Sequence, residues 1–210
     1  MIAYFGRYYD RLLNALLEHL EIVFLTLLIS IVLAALLTLL VYKREGLANL
    51  IVQIFGSVYS IPSLALFALL IPITGLGEKT AILVLVVYNQ FLLIRNFLSG
   101  LENVDRSIIE AAYGMGMSTI QVLTRVQIPL AAPLIIAGIR LAIISTIGIA
   151  TIAATINAGG LGNLLFDGMR TMNNYKILWG AIFCAVIALL ADGILKWIEN
   201  KVEEKVGAAE

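Results

Sequence analysis

The stretch IVFLTLLISIVLAALLTLLVY, Ile22 to Tyr42, carries no charged side chain. A helix needs about 20 mostly apolar residues to cross the hydrocarbon core of a bilayer, and this run meets that length. The whole chain repeats the pattern. Of its 210 residues 61% are apolar and only 13% charged, against roughly half and a quarter in a soluble domain. So much apolar surface requires lipid as solvent. Four more runs qualify: Leu50 to Ile73 with Pro62 and Pro72 inside, Thr80 to Ile94 continuing through Phe97, Pro133 to Ile156 with Arg140 in its first third, and Ile177 to Trp197 with Asp192 and Lys196 in its last turns. The expected fold is an all-α membrane protein with about five transmembrane helices. Residues 1–21 precede the membrane domain 22–199, and a tail, 200–210, follows it.

The first 21 residues do not read as a cleavable signal. Arg7, Asp10, Arg11, Glu18 and Glu21 interrupt the apolar positions. Leu12, Leu13, Leu16, Leu17 and Leu20 recur at helical spacing, which predicts an interfacial amphipathic helix leading into the first span. Five spans put the termini on opposite sides. With the N-terminus outside, Lys43, Arg44, Arg95, Arg106, Arg125, Lys196, Lys201 and Lys205 face the cytoplasm. Arg7, Arg11, Lys79, Arg170 and Lys176 then face out. The excess of cytoplasmic cations favours this orientation, with a cytoplasmic C-terminus and a cytoplasmic connection between spans three and four. Lys plus Arg equals Asp plus Glu, so net charge points to no nucleic-acid partner. Cys184 stands alone and His19 is the only histidine, which speaks against a disulfide and a protein metal site.

The connection 98–129 is an unusual loop. Ile108 to Val126 is helix-compatible and amphipathic, but Gly114 and Gly116 weaken it. Pro129 is expected to stop one helix and Pro133 to begin the next. Small residues at 111, 112, 114 and 116 let another backbone come close, as a helix seated in a partner's groove requires. Glu110-Ala111-Ala112, three residues, Gly116, nine residues, Val126, one residue, Ile128 and Pro129 together resemble the EAA motif of binding-protein-dependent ABC import permeases of the MetI-like class. The family usually has Ile and Leu where Val126 and Ile128 stand. The resemblance implies a coupling helix carrying Glu110, Ala111, Ala112, Gly114 and Gly116, bounded by Pro129, in a cleft of a separate ATP-binding subunit. ATP and Mg would belong to that partner, since the chain has no Walker-type loop, and the chain itself would be a transport subunit without a cofactor. It also implies a second permease subunit, identical or related, and an extracellular or lipid-tethered substrate-binding protein at a bacterial cytoplasmic membrane. Ser60-Ile61-Pro62-Ser63-Leu64-Ala65-Leu66, Gly148-Ile149-Ala150-Thr151 and Ala158-Gly159-Gly160-Leu161-Gly162 are similar to the osmoprotectant permeases, which import glycine betaine, carnitine or choline. Methionine-type permeases share the five-span core, and a secondary transporter is the rival outside the class.

Polar groups inside a span tend to face a bundle interior or a wet cavity. Gln53, Ser57 and Ser60 share one helical face, and Pro62 implies a local break in the second span. Asn89 and Gln90 lie mid-span beside Tyr88. Ser145, Thr151 and Thr155 form a stripe with Gly148. Gln53, Ser57, Ser60, Pro62, Asn89, Gln90, Thr151 and Thr155 are the candidate pathway residues, and helix packing or local back-bonding is the plainer role for each. Arg140 is placed to snorkel, or to pair with Glu110 or a neighbouring helix. Asp192 and Lys196, four apart, read with Trp197 as an interfacial anchor. Gly159, Gly160 and Gly162 shape the outer mouth, with Asn157, Asn163 and Asp167 nearby.

Overall fold

A computed structural model describes residues 2–207. Residue 1 and the tail residues 208–210 lie outside the described residues. The chain is helical throughout: α1 (Ile2–Val41), α2 (Glu45–Tyr59), α3 (Ser63–Thr74), α4 (Glu78–Glu102), α5 (Arg106–Gly114), α6 (Thr119–Val122), α7 (Ile128–Ile152), α8 (Leu161–Arg170) and α9 (Asn174–Gly207). Among the described residues four helical segments are long and apolar enough to cross a membrane, and α2 with α3 makes a fifth span bent by 95°.

α1 buries small and polar residues among its apolar ones and turns most of its leucines outward. Along α1 the buried stripe is Leu12, Ala15, His19, Ile22, Thr26, Ser30, Ala34 and Thr38, while Leu17, Phe24, Leu28, Leu36 and Leu40 are exposed. In lipid, apolar side chains gain nothing from leaving the solvent, so close backbone approach decides which face packs. The same rule sets the α4–α7 seam. A methyl on Gly138 would lie 2.6 Å from Asn96 Cβ, and one on Gly100 would lie 3.1 Å from the Ala131 carbonyl oxygen. The seam therefore closes only around glycine. α4 sits at the centre, between α1, α2 and α7, and α9 packs on the outside of α7 and α8.

Two expectations change. The helix that leads into the first span does not end at residue 21: α1 is kinked at Tyr8 and then runs on without interruption to Val41. From the kink to Val41, at about 1.5 Å per residue, it is about 50 Å long, well beyond a bilayer core of about 30 Å. The buried stripe that runs from Leu12 into the span holds the two parts in one line. The second span is broken where Pro62 predicts: the chain leaves α2 at Tyr59 and restarts after Pro62. Pro129 does not end a helix. A π-turn, Leu123–Gln127, joins α6 to α7, and the Ile128 N–H bonds the Leu123 carbonyl one residue further back than in an α-helix. The wider turn accommodates the proline ring and its missing N–H. Pro133 accordingly lies inside α7 rather than at its start.

Arg140 reaches from α7 to α9. Its Nη1 is 3.0 Å from Asp192 Oδ1, and its Nε is 3.0 Å from Glu199 Oε2, an ion pair without hydrogen-bond alignment. The neighbouring-helix partner is thus α9, and Asp192 serves Arg140 rather than an i,i+4 anchor with Lys196. The Lys201 ammonium, not Lys196, stands over the Trp197 ring, 4.5 Å from its centroid. Arg140→Leu is expected to lower stability by about 2 kcal/mol, because two carboxylates on one face of α9 then lose their cation. Arg140→Lys should recover less than half, since one ammonium lacks the fork that reaches both acids. Thermal unfolding of the solubilised protein checks this.

Candidate functional site: coupling loop, polar face and glycine turn

The candidate coupling loop is built by two consecutive end signals. Asp105 caps α5 by accepting the Ser107 N–H at 2.8 Å, which also holds its carboxyl below the usual carboxylate range. At the other end Gly116 N–H bonds the Tyr113 carbonyl (2.9 Å) and Met117 N–H bonds the Ala112 carbonyl (3.2 Å). These are the paired bonds of a Schellman turn, and Gly116 takes the left-handed φ of +83° that it needs. Two residues later Ser118 and Gln121 form a capping box that opens α6. The result is a short helix, a sharp turn and a new helix. Ala112 is buried, whereas Glu110, Ala111, Tyr113, Gly114, Met115 and Gly116 are exposed. Tyr113, Met115 and Ile120 leave a large apolar surface uncovered at the tip, as a surface built for a partner does. Gly114 and Gly116 have open space around any added side chain. A cleft of about 500 Å³ separates α5 from the α1–α2 turn, with Lys43, Glu45, Glu102 and Arg106 in its walls. Pro129 is exposed just beyond the π-turn.

The candidate pathway residues divide into two groups. Gln53, Ser57, Ser60 and Pro62 are all exposed, along one face of α2 and its break. Ser57 donates to the Gln53 carbonyl (2.8 Å) and Ser60 to the Ser57 carbonyl (2.7 Å), so the serines satisfy themselves locally. The opposite face holds the break in place. The Tyr88 hydroxyl donates to the Ile61 carbonyl, and the Tyr59 ring meets Tyr88 edge-on and also packs on Phe91. In α7 and the short 3-10 turn after it (Ala153–Ile156), Thr155 is exposed and Thr151 half-buried. Their hydroxyls donate to the Ile152 and Gly148 carbonyls, both at 2.7 Å.

Asn89 and Gln90 form the second group, and here the expectation is corrected. They are 2% and 0% exposed. The Asn89 amide donates to Thr146 Oγ1 (2.9 Å) and Ser30 Oγ (3.3 Å), and the Thr146 hydroxyl donates to the Ala142 carbonyl (2.7 Å). The Gln90 amide donates to the Val86 carbonyl (3.0 Å) and the Ser30 carbonyl (3.4 Å). An amide enclosed by three helices satisfies its donors there and lines nothing. Ser30 and Thr146 are the residues that sequence reasoning missed. Each is a hydroxyl within a charge-free run, and that was the available signal. Asn89→Leu should cost about 1 kcal/mol of stability and leave the KM for the transported solute unchanged. A raised KM would return Asn89 to the pathway.

The third element is the turn 156–162. Asn157 is left-handed (φ +62°), as are Gly159 (+89°) and Gly160 (+77°). A methyl on Gly162 would lie 2.0 Å from the Thr151 carbonyl oxygen. The turn thus presses α8 onto the end of α7 that carries Thr151 and Thr155. Gly77 N–H bonds the Ile156 carbonyl at 2.7 Å and ties in the α3–α4 turn. Asn157 and Asn163 line a cavity of about 400 Å³ with Glu18, Glu21 and Glu78. Asp167 belongs elsewhere: it pairs with Lys176 and, at 3.0 Å, with Arg170. Hydrogen bonds from those two cations hold its carboxyl below the usual range.

Comparisons with known proteins agree with this architecture. The chain is 40% identical over 167 residues to the carnitine transport permease protein OpuCD of Listeria monocytogenes serotype 1/2a (strain 10403S), covering 78% of this chain and 75% of that one. It is 34% identical over 188 residues to the glycine betaine/carnitine/choline transport system permease protein OpuCB of Bacillus subtilis (strain 168), covering 90% and 87%. Its fold matches a chain of the inward-facing MetNI methionine ABC transporter with a TM-score of 0.83 at 22% identity, covering 91% of this chain and 95% of that one. The family model matches residues 27–204, most of the chain, with the candidate coupling loop and the glycine turn inside it: the chain belongs to the family of binding-protein-dependent transport system inner membrane components.

Proposed function

We propose that this protein is the membrane-spanning subunit of an ATP-driven importer for small quaternary ammonium solutes of the glycine betaine, carnitine and choline type. The observation that carries the reading is the 40% and 34% identity to permeases named for those solutes, over three quarters or more of each chain. Those solutes share a trimethylammonium group, a large cation of low charge density. The exposed serine and glutamine face of α2 offers oxygen atoms and no cationic side chain, which suits such a passenger. Two subunits, identical or related, would enclose the pathway between such faces. A separate ATP-binding subunit would grip α5, and a separate binding protein would deliver solute at the α8 end.

The orientation follows the charges. The end with the coupling loop carries Lys43, Arg44, Arg106, Arg125, Lys201 and Lys205, and cations accumulate on the cytoplasmic side. The N-terminus and the glycine turn then face out. Transport proceeds by alternating access: ATP binding draws the two ATPases together, and the coupling helices carry that motion into α4 and α7. ATP can tip such an equilibrium only when the two states differ by a few kcal/mol.

Uptake of labelled glycine betaine, carnitine, choline and methionine tests the substrate. The permease is expressed with its ATPase and binding protein in cells lacking these systems. Uptake of one or more quaternary ammonium solutes is expected. Uptake of methionine alone would keep the architecture and overturn the substrate class.

A further inference from the structure

We infer that Glu18 is a positioning residue for transport: it holds the Gly159–Gly160 turn from α1, and through that turn it sets the end of α7 that bears Thr151 and Thr155. The inference rests on the import reading above. Glu18 Oε2 accepts the Gly160 N–H at 2.9 Å across 142 residues of chain. The contact is close on both neighbouring residues. A methyl on Gly159 would lie 2.9 Å from Glu18 Oε2, and one on Gly160 would lie 3.0 Å from His19 Nδ1. His19 itself is fully buried. Gly160 caps the start of α8, and its N–H makes no backbone hydrogen bond. A side-chain oxygen from α1 fills that need.

The position of the turn gives the bond its consequence. Asn163 N–H bonds the Gly160 carbonyl at 3.0 Å, which makes Gly160 the first support of α8. Gly162 is locked against the Thr151 carbonyl, so displacing Gly160 displaces the end of α7 with it. The α3–α4 turn joins the same point through Gly77 and Ile156. Glu18 thus ties α1 to the one place where α3, α7 and α8 meet. It stands on a helix with no candidate pathway residue. Its side chain is exposed at the rim of the cavity, so it acts through the turn and has no structural duty in the helix core.

The test uses the assembled complex with Glu18→Ala and Glu18→Gln. Hydrogen exchange of the peptide spanning 157–163 should be about tenfold faster in Glu18→Ala and close to wild type in Glu18→Gln, whose amide oxygen still accepts the Gly160 N–H. Maximal uptake should fall about tenfold in Glu18→Ala, with the yield of complex and the basal ATPase activity unchanged, and should return in Glu18→Gln. Unchanged exchange in Glu18→Ala would overturn the inference whether or not the complex imports the expected solute. So would Glu18→Gln behaving like Glu18→Ala, which would make charge rather than the acceptor the requirement. A parallel loss of yield, ATPase and uptake would also overturn it by assigning Glu18 to folding alone. A wild-type complex that exchanges as expected but imports nothing with ATP would instead count against the import reading.

Discussion

Gly116→Leu is expected to lower ATP-driven uptake by about tenfold or more while leaving the membrane bundle assembled. Gly116 has a φ of +83° and closes the Schellman turn after α5. Leucine there costs about 1–2 kcal/mol of backbone strain, and nothing in this chain lies within 4 Å of the added Cβ. The strain is relieved by opening the turn, and that swings Met115 and the exposed end of α5 away from the position α6 sets for them. Coupling between distant sites is typically worth 1–3 kcal/mol, or 5- to 150-fold, so a misplaced coupling helix removes a large part of it. Asparagine tolerates left-handed backbone. If conformation is the requirement, Gly116→Asn should transport better than Gly116→Ala. If close approach of the ATPase is the requirement, the two should fail alike. Normal uptake in Gly116→Leu would remove the coupling role from this turn.

Gly162→Ala is expected to cost about 3 kcal/mol or more and to reduce the yield of folded protein sharply. The new methyl would lie 2.0 Å from the Thr151 carbonyl oxygen, 2.8 Å from its carbon and 2.7 Å from Ala154 Cβ. Both Thr151 atoms are backbone, inside α7, and cannot rotate away. Overpacking that only side chains must absorb costs 1–3 kcal/mol, and a rigid helix absorbs less. α8 must therefore lift from α7, carrying the glycine turn with it. Gly148→Ala, on the same helix end with open space around it, is the control and should melt like wild type. Equal melting temperatures for both variants would show that the α7–α8 contact is looser than the geometry described above.

The spans were legible because a bilayer imposes a length and forbids charge, and both can be read directly from residues such as Ile22 to Tyr42. The short helix, turn and new helix between the third and fourth spans were legible because Gly114 and Gly116 interrupt an otherwise helix-compatible run. Which face of each span packs was not legible. Leucine and isoleucine are as content in lipid as in a core, so periodicity does not separate the two, and the buried stripe of α1 runs through His19, Thr26, Ser30 and Thr38 instead. The same ambiguity put Asn89 and Gln90 among the pathway candidates, although the structure encloses them. Pro129 misled for a different reason. A proline breaks an α-helix only while the preceding turn stays an α-turn, and the π-turn Leu123–Gln127 lies outside what composition reveals. The partners of Arg140 lie 52 and 59 residues away on α9, beyond any local pattern.

The central claim is that ATP hydrolysed in a partner subunit drives solute through this chain in one direction. The most direct measurement is uptake of labelled glycine betaine, carnitine and choline into proteoliposomes that hold the permease with its ATPase, with ATP sealed inside and binding protein added outside. Accumulation against a gradient is expected, and it should require both the internal ATP and the external binding protein. Accumulation that proceeds without ATP and follows an imposed proton or sodium gradient would rule out ATP-driven import.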